Sequence, residues 1–240
     1  MSYIKFKKTK IVATLGPGCS SKTMLSRLIK AGVNVFRINF SHATYEEADR
    51  HIDLIRSLNK ELDTNVAILA DLQGPKIRVG KMEDGVVFKK GDEFTLSTTK
   101  EIVGNKTKAS LSYKDFAKDV KKGDKVLVDD GKLIFEVIST NKKDEVKLRN
   151  LQGGKLSSKK GVNLPNTKIS TPSLTKKDKK DLMYAISKEL DWVALSFVRD
   201  ANDMINLRKI IERESEEKIP IIAKIEKPEA IKNIEDIIQN

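Results

Sequence analysis

One feature of the chain limits its fold more than any other. A strand–helix alternation stops near Pro75 and resumes near Thr171, with a β-rich stretch between. Lys10 to Leu15 reads as a short strand ending at Gly16-Pro17-Gly18. Ser20 or Ser21 is placed to cap a helix whose apolar face is Met24, Leu25, Leu28 and Ile29, and Gly32 closes it. Val33 to Phe40 is the second strand, and Tyr45 to Leu62 a helix with Ala48, Ile52, Ile55 and Leu58 on one side. Val66 to Leu72 is an apolar run broken only at Asp71, as in a parallel strand buried on both faces.

From Pro75 to about Thr171 helical periodicity largely disappears. Short β-rich runs, Glu93 to Ser97, Lys125 to Val128 and Leu133 to Ser139, are separated by Asp84-Gly85, Gly91-Asp92, Gly123-Asp124 and Asp130-Gly131. This predicts a small all-β domain, with Gly153-Gly154 and Ser157-Ser158 marking loops.

The α/β grammar then returns. Thr175-Lys176-Lys177-Asp178 resembles a capping box with Asp in the usual Glu position, ahead of a helix carrying Leu182, Ala185, Ile186 and Leu190. Asp191 to Val198 is expected as a strand, and Asp200 to Glu217 as a helix with Met204, Leu207, Ile210 and Ile211 inward. Pro220 to Glu226 is expected as a strand, with Pro228 opening a last helix. The expected organisation is an α/β domain over residues 1–74 and 172–240, interrupted by a β domain over 75–171. Five βα units would complete an open doubly wound sheet but not a (β/α)8 barrel, which closes with eight strands.

Composition narrows the class. No apolar run reaches the roughly 18 residues needed to cross a bilayer. The basic N-terminus is not followed by an apolar stretch with a cleavage site, so it does not read as a secretory signal. The single cysteine, Cys19, excludes an internal disulfide, and a cytoplasmic protein is expected. A net charge of +12 admits phosphate contacts to nucleic acid, or a lysine-rich solvated surface with anionic small-molecule substrates. The lysines are scattered and aromatics are only 5%, so stacking platforms for single strands are sparse.

Two clusters carry chemistry. Arg37, Asn39 and Ser41 alternate along a strand and share a face. Arg37 offers a planar fork to phosphate or carboxylate, Asn39 and Ser41 offer oxygens to a cation, and Asp71 at the end of the next strand adds a charge. An arginine paired with Asp71 for structural reasons is an equal reading of the same spacing. Near the C-terminus, Lys224 and Glu226 stand two apart in Ala223-Lys224-Ile225-Glu226. An ammonium and a carboxylate on one face suit phosphoryl transfer, where a cation neutralises the moving phosphate and an acidic group holds a metal ion. Ile219 to Ala223 and Ile225 make the strand apolar, which predicts that the pair is buried. Taken alone, His42, Arg78 and Lys160 are ordinary structural or surface residues. His51 lies in a helix with no motif around it and is expected in solvent.

Phe36-Arg37-Ile38-Asn39-Phe40-Ser41-His42, Asp71-Leu72-Gln73-Gly74-Pro75-Lys76-Ile77-Arg78, Lys160-Gly161-Val162-Asn163-Leu164-Pro165 and Ala223-Lys224-Ile225-Glu226 occur in an order and spacing that closely resemble pyruvate kinase, from about Lys10 to the last residue. The resemblance implies a (β/α)8 barrel of which strands one to five are present, with the β domain inserted after strand three as a lid. It implies phosphoryl transfer from phosphoenolpyruvate to ADP, giving pyruvate and ATP. By resemblance, Arg37 binds the phosphate of phosphoenolpyruvate and Lys224 stabilises the transferring phosphoryl group and the enolate. Asn39, Phe40, Ser41 and His42 lie near the nucleotide, and Arg78 and Lys160 contact its phosphates. Glu226 is a ligand of Mg2+ or Mn2+. Asn39, Ser41, Asp71 and the carbonyl of Leu72 form a monovalent-cation site. The family is homotetrameric, and no membrane or specific nucleic-acid partner is implied.

The chain departs from the family pattern at Leu72-Gln73-Gly74-Pro75-Lys76, where many members read Thr-Lys-Gly-Pro-Glu. Lys76 is expected to supply the charge a potassium ion would give, as in the lysine-bearing, potassium-independent class. Asn166 stands where glycine is common, a mild departure because asparagine tolerates a left-handed conformation. The family's second metal carboxylate, in an Ala-Arg-Gly-Asp segment, and its regulatory C-terminal domain are not in these residues. The isolated chain is therefore expected to be inactive and to expose apolar strand edges that invite association. A non-catalytic nucleotide- or partner-binding fragment is the alternative, and a basic nucleic-acid binder a further one.

Overall fold

The computed structural model describes residues 8–99, 101–165 and 167–240. Residues 1–7, Lys100 and Asn166 lie outside them. The chain divides into two compact units, residues 1–74 with 173–240 and residues 75–172. The first segment runs β1 (Val12–Thr14), α1 (Lys22–Ala31), β2 (Val35–Asn39), α2 (Tyr45–Leu62) and β3 (Ala67–Leu72). The second unit contains β4 (Ile77–Arg78), β5 (Val87–Phe88), β6 (Glu93–Ser97), β7 (Lys108–Ser110), α3 (Phe116–Asp119), β8 (Lys125–Val128), β9 (Leu133–Thr140), β10 (Glu145–Gln152), β11 (Gly154–Lys155) and β12 (Gly161–Asn163). The chain then returns to the first unit with α4 (Lys176–Ser187), β13 (Trp192–Leu195), α5 (Ala201–Glu214), β14 (Ile221–Ala223), α6 (Pro228–Lys232) and α7 (Ile234–Gln239).

In the first unit the strands form a five-stranded parallel sheet in the order β1-β2-β3-β13-β14. Each strand lies beside its successor within the unit. A doubly wound sheet reverses its order at a switch point, whereas the wall of a (β/α)8 barrel does not. The order therefore selects the barrel class over the open doubly wound sheet, and the fold is α/β with part of such a barrel wall.

Local chemistry explains the elements. Along β2, Phe36 and Ile38 are buried while Val35, Arg37 and Asn39 are partly open, so the alternation sends the polar residues to one face. The buried residues join Leu25 and Ile29 of α1 and Ala48, Ile52, Ile55 and Leu58 of α2 in one core. The Ser21 hydroxyl accepts from the Met24 N–H at the start of α1, and Gly32 ends that helix at φ 103°. Capping boxes begin α2, from Thr44 and Glu47, and α4, from Thr175 and Asp178.

Three expectations need correction. β13 stops at Leu195, not Val198, because Phe197 adopts φ 58° and turns the chain out of the sheet. β14 stops at Ala223, so Lys224 and Glu226 lie just past the strand rather than on it. Nor is that strand deeply buried. It is the sheet's edge here, and Ile222 and Ile225 are 39% and 40% exposed.

The second unit holds a seven-stranded sheet in the order β4-β12-β8-β9-β10-β6-β7. A further bridge between Val79 and Leu111 joins the continuations of β4 and β7, the sheet's two outer strands. The Ser112 N–H also donates to the Arg78 carbonyl at 2.9 Å. The sheet is thereby closed into a barrel, which removes free edges. Its interior contains Phe88, Phe94 and Phe135, packed edge-on or tilted with centroids 4.8 to 5.7 Å apart. Gly154 belongs to the short strand β11, paired with β5, rather than to a loop.

Candidate functional site

The polar residues of the first unit gather at the C-terminal ends of its parallel strands, where sites of such sheets form. Register explains the gathering. Thr14 lies opposite Arg37, Asn39 opposite Asp71, and Asp71 opposite Ala194. Leu195 pairs with Ala223, and Ser196 and Lys224 follow one step beyond. Arg37 donates from Nε to Asp71 Oδ2 at 2.7 Å, its Nη2 forms a close ion pair with the same oxygen, and its Nη1 donates to Thr14 Oγ1 at 2.8 Å. From the other side, Lys224 Nζ lies 3.2 and 3.3 Å from Asp71 Oδ1 and Oδ2. Asp71 is only 2% exposed, so one nearly buried carboxylate holds two cations. The Arg37–Asp71 pair of the structural reading is present, and Lys224 joins it.

Lys224 also donates to Ser196 Oγ at 2.8 Å and lies 3.5 Å from Glu226 Oε1. Glu226 in turn accepts the Phe197 backbone N–H through Oε2 at 3.0 Å. Phe197 reaches Glu226 because of its left-handed conformation. Gly74, at φ 67°, lets this turn approach, since a Cβ there would stand 2.8 Å from Phe197 Cδ2 and 3.0 Å from Ser196 Cβ. The Gly74 N–H donates to Asp178 Oδ1, which is also a capping residue of α4. Sequence reading missed Thr14, Ser196 and Phe197. Thr14 carried a signal as the end of the first strand, whereas nothing in an apolar run ending in Ser and Phe announces the other two.

The Asn39–His42 segment is held by its own contacts. Asn39 Oδ1 accepts the Ser41 N–H at 3.0 Å, and the Phe40 N–H donates to the Asp71 carbonyl at 3.1 Å. Lys177 of α4 donates to the Phe40 carbonyl at 2.7 Å and to Asp181 at 2.6 Å. Asn39 and His42 line a cavity of about 740 Å³ that runs past Pro17 and Leu15 to Glu47, Arg50 and His51 of α2. His51 is thus half-buried rather than in open solvent, and burial pushes its imidazole below the usual histidine range.

In the second unit, Arg78 and Lys160 are neighbours although the insertion separates them in sequence. Gly161 pairs with Arg78 across β12 and β4. Arg78 Nη1 donates to the Lys159 carbonyl and Lys160 Nζ pairs with Asp129, each at 3.0 Å. Lys76 is exposed in the same unit.

Oxygen donors for cations are few. Among the described residues no group of three or more His, Cys, Asp or Glu is placed to hold a metal ion. Mg2+ commonly takes only one or two protein carboxylates and completes its shell with substrate oxygens and water. Glu226 fits that role, with Oε1 turned toward Lys224 and Oε2 fixed by the Phe197 N–H. Of the oxygens expected around a monovalent cation, the Asp71 carboxylate contacts Arg37 and Lys224, Asn39 Oδ1 accepts the Ser41 N–H, and the Leu72 carbonyl accepts the Ser196 hydroxyl at 2.7 Å. Beside Glu226, Lys227 is buried. Burial lowers its pKa and Arg199 adds to that, against the pull of Glu229 and Glu226.

Among the described residues no helix is long and apolar enough to cross a membrane. The family model for the pyruvate kinase barrel domain matches residues 6–240. The chain is 45% identical over 235 residues to a pyruvate kinase of Staphylococcus saprophyticus, covering 97% of this chain and 40% of that protein. It is 41% identical over 234 residues to a pyruvate kinase of Clostridium perfringens, covering 97% of this chain and 49% of that protein. The chain thus spans about two fifths to a half of the length of these relatives. A matched family model over nearly every residue, together with the sheet order and the Arg37–Asp71–Lys224 cluster, leads to one assignment: the chain belongs to the pyruvate kinase family.

Proposed function

We propose that this chain carries the phosphoenolpyruvate- and nucleotide-handling part of a pyruvate kinase, which transfers a phosphoryl group from phosphoenolpyruvate to ADP. The observation that carries the reading is the convergence of Arg37, from β2, and Lys224, just past β14, on the Asp71 carboxylate at the strand ends. In this reading Arg37 presents its fork to the phosphate, and Lys224 neutralises charge on the phosphoryl group and on the enolate oxygen. Glu226 holds the divalent ion, Mg2+ or Mn2+, which when bound offsets the charge of phosphate and enolate oxygens. Asn39 to His42 border the nucleotide, supported by their place on the cavity wall. Arg78 and Lys160, adjacent on the β barrel, are the cations of the second unit assigned to nucleotide phosphates in this reading.

Activity independent of potassium belongs to the same reading. Asp71 already carries two protein cations, and Lys76 stands five positions further along the chain. A coupled assay of pyruvate formation from phosphoenolpyruvate and ADP with Mg2+, with and without potassium, tests both claims, with Lys224→Met as control. Turnover lost in Lys224→Met and unchanged by potassium supports them. A strong potassium requirement overturns the role of Lys76. If there is no turnover, calorimetric titration with phosphoenolpyruvate decides the binding claim. Binding abolished by Arg37→Ala supports a substrate-binding part, and no binding overturns the proposal.

A further inference from the structure

Ser196 is 3% exposed and lies one residue past the end of β13. Its hydroxyl has three oxygen or nitrogen neighbours: the Leu72 carbonyl at 2.7 Å, Lys224 Nζ at 2.8 Å and Asp71 Oδ1 at 3.4 Å. A hydroxyl has one proton and two lone pairs. Lys224 has only donors, so the proton goes elsewhere, and the shorter distance sends it to the Leu72 carbonyl. A lone pair then faces the ammonium. The chain of bonds runs from the Lys224 ammonium to the Ser196 oxygen, and from the Ser196 proton to the Leu72 carbonyl. The very next N–H, that of Phe197, holds Glu226 at 3.0 Å. Two consecutive residues therefore grip both members of the Lys224–Glu226 pair, one through a side chain and one through the backbone. Gly74 leaves room for the grip, with its missing Cβ 3.0 Å from Ser196 Cβ and 3.1 Å from the Ser196 carbonyl oxygen.

We propose that Ser196 is a positioning residue for Lys224. By accepting a hydrogen bond from the ammonium, it keeps the lysine from collapsing wholly onto Asp71 and aims it at the space shared with Glu226. The lysine is the one that meets phosphoenolpyruvate in the function proposed above, so the inference rests on that reading. Its structural half does not, since the hydrogen-bond chain exists without substrate.

The test uses the full chain labelled with 15N-lysine, at fixed pH, and follows the Lys224 ammonium cross-peak, assigned by its loss in Lys224→Arg. An ammonium locked by buried acceptors exchanges slowly with water and gives a visible peak. Ser196→Ala is expected to abolish that peak and to weaken phosphoenolpyruvate binding by about tenfold, the effect of losing one hydrogen bond to a charged group. Ser196→Cys keeps the volume but accepts hydrogen bonds poorly, and it carries the same expectation should the alanine variant loosen the fold. Ser196→Thr, which keeps the hydroxyl, is expected to restore both readouts. A folded Ala or Cys variant with the peak and affinity unchanged overturns the proposal. If phosphoenolpyruvate leaves the wild-type peak unmoved, the functional reading fails, while the peak in the free variants still decides the role of Ser196.

Discussion

Lys224 Nζ lies 3.2 and 3.3 Å from the two carboxylate oxygens of Asp71, a partner 153 positions away in the chain. Arg37 meets the same carboxylate, whose side chain is 2% exposed against 28% for each cation. Removing one member of a buried ion cluster costs more than the pair contributes, because the remaining charges stay desolvated. The partial exposure of the two cations reduces that penalty. Asp71→Asn is expected to lower stability by about 1–3 kcal/mol in urea denaturation. An unchanged midpoint would mean that water already screens the cluster.

Gly74→Ala is expected to be more disruptive than its size suggests. The position has φ 67°, and a Cβ would fall within 3.1 Å of three atoms of Ser196 and Phe197. The left-handed conformation alone costs an alanine about 1–2 kcal/mol, and crowding adds to it. We expect a loss of at least about 2 kcal/mol in thermal or urea unfolding, together with weaker phosphoenolpyruvate binding.

His51 predicts a pH dependence. Burial lowers its pKa from the ordinary 6.5, so the folded chain binds its proton less readily than the unfolded chain. Where the unfolded state holds more protons, stability rises with pH. The stability that His51 contributes is therefore present above pH 6.5 and declines as the pH falls below it. Unfolding midpoints measured across that window should fall less steeply in His51→Gln than in the wild type.

The paired tyrosines give a second pH signature, at the alkaline end. Tyr45 and Tyr184 stack with centroids 4.4 Å apart, and their hydroxyls donate to Asp181 and Asp49. Burial, aided by Asp181, pushes the Tyr45 phenol up to about 12, and burial with Asp49 raises Tyr184 as well. The Tyr45 contribution is complete below the ordinary value of 10 and is lost as the pH climbs through about 12. An ultraviolet titration of phenolate should show Tyr45→Phe removing a late-titrating group. A group that instead titrates near 10 would contradict the combined action of burial and Asp181.

What the sequence made legible follows from how local each cause is. The helix Tyr45–Leu62 was readable to the residue because its apolar stripe of Ala48, Ile52, Ile55 and Leu58 is a short-range pattern. The polar face of β2 was readable because alternation is a property of one strand. The ends of β13 and β14 were not, since the left-handed turn at Phe197 is stabilised by Glu226 and accommodated by Gly74, both remote in sequence. Ser196 was invisible for the same reason: its role exists only through the register of β13 with β3 and β14. The half-burial of His51 was missed because the cavity needs the end of β1 and the loop after β2 on opposite walls.

The pairing of β4 with β12 in the second unit has one more consequence. Val162 lies opposite Ile77 and Gly161 opposite Arg78, so the chain enters and leaves the β barrel through adjacent strands. The long excursion between these two strands is closed by the unit's own strand pairings. Residues 75–172 thus hold their own core as well as their own strand pairings.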